Sequence, residues 1–235
     1  MFKKLFYRFF YLISILIFLA VLSVLTAIFA APALGFSPEY AVFSVLAFAV
    51  VIMGIDFGIA IVLRLLPFHI FAPPYVLFRP IPNERKFWRK TGIKRWKVVV
   101  PDLAKTLKVF DKTTLKHTFD PDYMFKFLCE MGYAETMHVI SAFAGFIAVF
   151  IPIGWALSGA VDLITGEYIL LSLAQAAIFA LPLALGNMVM NLLPAFIQRY
   201  NRPIVLKLYQ RAVRLKEQGK LQKICTCRQD EIKIL

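Results

Sequence analysis

The sequence predicts an all-α, polytopic membrane protein. It has four transmembrane helices, a cytoplasmic interfacial segment between helices 2 and 3, and an amphipathic C-terminal helix. Three observations predict this. Of the 235 residues, 60% are hydrophobic, against roughly 45–50% in soluble domains. The apolar residues fall in runs near the length of about 20 residues that crosses a bilayer. Finally, Lys and Arg segregate: residues 1–8 carry three, 69–138 carry thirteen and 197–235 carry ten, with Arg64 alone at the end of the second run. The loops at 33–40 and 162–167 carry none. By the positive-inside rule both termini and the 69–138 segment are cytoplasmic. The chain, 1–235, reads as a single membrane-embedded domain. Its net charge of +13 flanks apolar spans. It therefore suits anionic lipid headgroups or an anionic substrate, and not nucleic acid.

The first span, 9–31, follows a basic start with Lys3 and Lys4. Ala30, Ala31 and Ala33 imitate a signal-cleavage site. The apolar run, however, exceeds the roughly 7–15 residues of a signal peptide's core, and Pro32 interrupts the small residues. A retained helix is expected. The second span, 41–66, stops at Pro67 because proline ends helices. Gly54 and Gly58, four apart, predict close helix packing. Asp56 between them falls near mid-bilayer at about 1.5 Å per residue. It is either a hydrogen-bonded packing group or a functional acid.

The 69–138 segment enters through Pro73, Pro74, Pro80 and Pro82, which favour extended backbone. From Glu84 to Pro101 basic residues alternate with Phe87, Trp88, Trp96 and aliphatics. That pattern predicts an element in the membrane interface, with Trp at headgroup depth. Residues 120–133 read as a helix leading into the third span, 139–161. The fourth span, 168–196, is interrupted by Pro182 and Pro194. Beyond it Asn201 is expected to cap a new helix with Pro203 in its first turn. There Ile204, Leu208, Ala212 and Leu215 share one face, opposite Lys207, Arg211, Arg214 and Lys216. This amphipathic helix is expected to lie on the membrane surface and end near Gly219. Internal repeats are not expected.

The three cysteines, Cys129, Cys225 and Cys227, are too few for a disulfide framework and fall on the reducing side. Cys225 and Cys227 lack the further ligands a zinc site needs, so no metal is expected. His117 to Asp122 fits the H-x4-D pattern of glycerolipid acyltransferases, but Pro121 within it opposes a helical presentation.

The candidate chemistry gathers near one membrane face. Glu135 and His138, three apart, share a helical face; a carboxylate beside an imidazole raises its basicity, as a general base requires. Asn187 and Asn191, four apart, place two amides on one face of an apolar helix, where amides need partners. Gln198, Arg199, Tyr200, Asn201 and Arg202 follow at its exit. Two guanidinium groups there can grip a phosphate or carboxylate, or simply flank the span. Trp96 and Lys97 read equally as an interfacial anchor or as substrate contacts.

Together these residues resemble the glycosyl-4,4'-diaponeurosporenoate acyltransferase family of bacterial membrane proteins. The similarity runs through Glu84, the stretch from Gly92 to Lys97 with Pro101, then Glu135 to His138, then Asn191 to Pro194 and on to Gln198–Arg202. It covers about residues 79–202. The resemblance implies transfer of a fatty acyl group to a sugar hydroxyl of a membrane glycolipid, a glycosyl carotenoid in the named pathway, in a bacterial cell membrane. On that basis His138 deprotonates the acceptor hydroxyl and Glu135 orients it. Asn187 and Asn191 donate to the thioester oxyanion. Arg199, Arg202 and Lys97 hold the phosphates of an acyl-CoA-type donor. Gln198, Tyr200, Asn201 and Trp96 complete the substrate contacts, with no further cofactor; Asp56, in a span that departs from the family, is a candidate substrate contact by its own position. Two other readings fit the same residues. One is a membrane methyltransferase or reductase using S-adenosylmethionine or NADPH; the other is a non-enzymatic lipid-binding or docking protein.

Overall fold

The computed structural model describes residues 2–33, 35–72, 79–97, 100, 114–115, 117–151, 173–218 and 232–233. The described residues are helical apart from loops and one two-residue antiparallel pair, β1 (Thr114–Leu115) with β2 (Ile232–Lys233). The long helices are α1 (Phe2–Leu25), α2 (Pro38–Leu65), α5 (Pro121–Ala144) and α6 (Leu181–Glu217). Two short ones, α3 (Glu84–Lys90) and α4 (Ile93–Trp96), follow α2. Four stretches are long and apolar enough to cross a membrane: Ile15–Ala33, Pro38–Leu65, Pro121–Ile151 and Leu173–Glu217. The protein is thus a multi-pass membrane protein. The far end of the third span, the 162–167 loop, the start of the fourth span, Pro73, Pro74, Pro101, Cys225 and Cys227 lie outside the described residues.

The helix expected at 120–133 is present and runs without a break into the third span as α5. Asp120 starts it: its carboxylate accepts from the Asp122 and Tyr123 amides at 2.9 and 3.3 Å. Pro121 then occupies the first helical position, where a missing N–H costs nothing.

The fourth span departs from expectation. Proline was expected to divide it from a separate amphipathic helix, yet α6 runs unbroken through Pro194 and Pro203. Each proline removes the N–H that would bond the carbonyl four residues back and crowds that carbonyl with its ring, and packing on both sides outweighs these losses. Asn201 therefore caps nothing; it is buried inside α6. Part of the expected amphipathic face turns inward, with Ala212 fully buried. Val205, Leu206, Leu208 and Tyr209 pack with Met124, Phe127, Leu128 and Met131 of α5, while Lys207, Arg211, Arg214 and Lys216 are exposed.

An internal repeat emerges that was not expected. Ala27-Ile28-Phe29-Ala30-Ala31-Pro32 and Ala177-Ile178-Phe179-Ala180-Leu181-Pro182 are nearly identical. Both form π-helical turns, Thr26–Ala30 and Ala176–Ala180. In each the N–H after the turn reaches back five residues, Ala31 to Thr26 and Leu181 to Ala176. The ring of each proline would clash with the carbonyl four residues before it, and the wider turn relieves the clash. The two turns pack against each other.

The described residues gather into two compact units. The membrane unit holds residues 9–62 and 139–192; its core includes Ala31, Val45, Ile52, Ala148, Phe179 and Leu183. The polar unit holds residues 1–8, 63–138 and 193–235. Gly54 and Gly58 have open space where a Cβ would stand. The close packing expected of them is therefore not made among the described residues.

Candidate active site

In the polar unit, four charged side chains from three distant segments meet. Glu84 opens α3 after Asn83, whose backbone is left-handed (φ 62°). Its carboxylate turns back to accept the Ile81 amide at 3.0 Å and lies 3.5 Å from the Trp88 indole nitrogen. It also accepts from Nε of Arg199 on α6. Arg199 donates through Nη1 to Glu135 on α5 at 3.2 Å, and through Nη2 to the Arg79 carbonyl at 3.4 Å. Arg202, one turn further along α6, is ion-paired to the other oxygen of Glu135. Only 1% of the Arg202 side chain is exposed. Two guanidinium groups and two carboxylates thus neutralise one another inside the protein, where an unpaired charge would be costly.

This alters two expectations. Arg199 and Arg202 face carboxylates, so they brace three segments instead of standing open to a phosphate. Glu135 is engaged through both oxygens by arginine, so its first task is to hold that pair. His138 sits half-buried one helical turn beyond it.

Tyr200, buried in α6, anchors the interfacial hairpin. It clusters with Ile93 and Ile197, against Trp88, Trp96 and Val100. Trp88 also stacks on Phe196, ring centroids 4.7 Å apart. The hairpin folds back at Gly92, whose positive φ of 71° suits glycine. Lys97 Nζ stands 5.4 Å and the Arg85 guanidinium 5.8 Å from the Tyr200 ring centre. Burial first, then Lys94 and Arg85, push the Lys97 ammonium below its ordinary pKa. Gln198 is half-buried on α6.

Asp56, Asn187 and Asn191 converge in the membrane unit. Asn191 Nδ2 lies 3.1 Å from one Asp56 oxygen, and Asn187 Nδ2 lies 3.4 Å from the other. Asn187 also donates to the Ser141 carbonyl at 3.1 Å, and Asn191 to the Asn187 side-chain oxygen at 2.9 Å. Gly145 makes room: a Cβ there would stand 2.7 Å from Asn187 Nδ2. The amides expected to face an oxyanion are thus directed to Asp56, Ser141 and each other. Among the described residues, no three His, Cys, Asp or Glu side chains gather as a metal site requires.

The family model for glycosyl-4,4'-diaponeurosporenoate acyltransferase matches residues 68–211, well over half of the chain. The chain belongs to this family. It is therefore an acyltransferase, and its acceptor is a glycolipid. No curated protein and no solved structure matches it. The family match contains Glu84, Trp96, Lys97, Glu135, His138, Asn187, Asn191 and the whole Gln198–Arg202 motif. Asp56, which the two asparagines hold, lies outside it.

Sequence reasoning missed one further contact of the acyltransferase. Arg64 forks onto Glu130 at 3.1 and 3.2 Å and lies 4.0 Å over the Tyr133 ring. Glu130 and Tyr133, three apart on α5, gave a signal: an acid and an aromatic on one face, with a lone arginine available at the end of the second span.

Proposed function

We propose that the protein transfers a fatty acyl group from an acyl-CoA-type thioester to a hydroxyl of a glycosyl-carotenoid-like lipid at the cytoplasmic leaflet. The family supplies the reaction class. One observation supports locating the chemistry in the polar unit: Glu84, Glu135, Arg199 and Arg202 draw three motif segments around one charge-balanced cluster.

In this reading His138 is the base. It removes the acceptor proton as the hydroxyl oxygen attacks the thioester carbonyl carbon. The tetrahedral intermediate collapses, the C–S bond breaks, and the thiolate takes the proton from the imidazolium. Glu135, Arg199 and Arg202 hold the middle of α5 and α6 in register. The thioester carries its own activation, so no cofactor enters the reaction.

The test is transfer of a radiolabelled acyl group from acyl-CoA to extracted glycosyl carotenoid by the purified protein. His138→Ala should melt like the wild type and lose transfer by a factor of about 10²–10⁴, the contribution of a general base. Undiminished transfer by a folded His138→Ala protein removes His138 from the mechanism. Labelling from S-adenosylmethionine or oxidation of NADPH, in place of acyl transfer, overturns the reaction itself.

A further inference from the structure

We propose that Asp56, Asn187, Asn191 and Ser141 form a binding site for a small monovalent cation such as sodium, within the membrane unit. The inference goes beyond the acyltransferase reading, since the ion takes no part in the transfer.

Charge is the first ground. Residues 9–62 and 139–192, the membrane unit, contain Glu39, Asp56, Asp162 and Glu167 but no Lys, Arg or His. Glu39 stands in the first turn of α2, whereas Asp56 lies well inside that helix. The side chains that face Asp56 are Asn187, Asn191 and Ser141, all neutral. The one cation on α2, Arg64, is about 12 Å further along at about 1.5 Å per residue, and it is forked onto Glu130. The polar unit is built differently: Glu84, Glu130 and Glu135 each meet an arginine. A carboxylate inside a membrane-spanning unit is costly unless a positive charge accompanies it. Asp56 has amides where the other acids have guanidinium groups.

An excess of oxygen is the second ground. Asn191 Nδ2 lies among three oxygens: Asp56 Oδ2 at 3.1 Å, Asn187 Oδ1 at 2.9 Å and the Asn187 carbonyl at 3.2 Å. Asn187 Nδ2 meets two more, Asp56 Oδ1 at 3.4 Å and the Ser141 carbonyl at 3.1 Å. Five oxygens thus surround two amide groups that own four N–H hydrogens between them. Ser141 adds a sixth oxygen. Its side chain is buried, and its hydroxyl makes no hydrogen bond among the described residues. A buried hydroxyl without a partner marks a place for a water or an ion. Carboxylate, carbonyl and hydroxyl oxygens are the ligands that hard cations take. Such an ion does not need the clustered His, Cys and carboxylate groups of a transition-metal site.

The same ledger of charge selects the valence. One carboxylate is neutralised by one positive charge. A divalent ion would leave a net positive charge in equally apolar surroundings, because the cluster holds no second acid among the described residues. The amide and hydroxyl oxygens are neutral, so they add ligands without altering that balance.

The test uses the full-length protein in a non-ionic detergent, with sodium chloride exchanged for choline chloride at constant ionic strength. Equilibrium binding of radiolabelled sodium and the melting temperature are both measured. One sodium ion per chain is expected, with a melting temperature that climbs as sodium exceeds its Kd. Asp56→Asn should lose both the bound ion and the climb. Ser141→Ala removes one neutral ligand and should weaken sodium binding by about tenfold. Potassium acting through Asp56 in the same way also supports a monovalent site. Sodium binding that survives in a folded Asp56→Asn protein overturns the proposal. So does wild type that binds no sodium, including wild type whose stability follows pH alone, because a proton then neutralises Asp56. Stabilisation through Asp56 by calcium or magnesium, without sodium, overturns the valence and with it the site as described. Should Asp56→Asn misfold, Ser141→Ala decides: unchanged sodium affinity overturns the proposal.

Discussion

Arg202 is ion-paired to Glu135, and its side chain is almost wholly withdrawn from solvent. Such a pair gives little net stability over an apolar isostere, but breaking it strands a buried charge. Arg202→Leu should therefore cost about 3–5 kcal/mol. In detergent that appears as a fall in apparent melting temperature on the order of 10 °C. The double variant Arg202→Leu/Glu135→Leu should recover most of it, less what Arg199 loses at Glu135. Thermal unfolding of the three proteins checks the cycle; additive losses would show that the two side chains do not act on each other.

Two glycines in α5's neighbourhood separate backbone from side-chain constraint. A Cβ on Gly132 would run into the Phe71 carbonyl, which is backbone and cannot turn aside. A Cβ on Gly145 meets the Asn187 amide, which can rotate away. Gly132→Ala should cost about 1–3 kcal/mol, as overpacking does. Gly145→Ala should cost less in stability but disturb the Asp56 cluster. Melting temperature ranks the two, and the reverse order would contradict the packing described.

Asp56 accepts from two half-buried amides in a membrane-spanning unit. Asp56→Asn keeps the shape and one acceptor oxygen but sets a donor against one of the two amides, so it should cost less than Asp56→Leu. Asp56→Leu leaves both amides short of an acceptor, at about 1–3 kcal/mol. Comparing melting temperatures tests this.

Much of this was legible in the sequence, and what was not has a common physical cause. Apolar runs and segregated basic residues predict the spans because the bilayer imposes length and charge rules on each segment separately. Spacing places Asn187 and Asn191 on one face because helical period is local. The partners of those residues are not local. Asp56 is 131 and 135 residues from the asparagines it holds, and Glu84 is 115 from Arg199. No spacing rule joins them. Pro194 and Pro203 misled for the converse reason: a local penalty of helix interruption was overridden by packing along α6. The repeat before Pro32 and Pro182 was plainly written in the sequence, but its meaning appears only when both copies turn out to be π-helical.

Lys97 gives a pH prediction whose sign can be stated. Its folded-state pKa lies below the ordinary lysine value, from burial and then Lys94 and Arg85. Between the two values the unfolded chain holds more protons than the folded one, so stability rises with pH through that window. The gain is complete only above the ordinary lysine value. Lys94→Gln should move the Lys97 titration upward, towards that value. NMR of 13C-methylated lysines, assigned by Lys97→Arg, measures the shift; a downward move would contradict the described surroundings of Lys97.

The repeated turn offers a matched pair of phenylalanines. Phe29 and Phe179 occupy equivalent positions in the two π-helical turns. Phe29 is 68% exposed in the protein and faces outward, whereas Phe179 is fully buried in the membrane unit's core and touches Phe36, ring centroids 6.3 Å apart. The backbone is the same, so the difference in cost isolates packing from propensity. Phe179→Ala should cost about 3–5 kcal/mol through lost contacts and the cavity left behind. Phe29→Ala should stay within about 0.5 kcal/mol, as exposed substitutions do. Melting temperatures in the same detergent measure both. Equal losses would mean that the first turn is also covered, and that its outward phenylalanine meets a partner of its own.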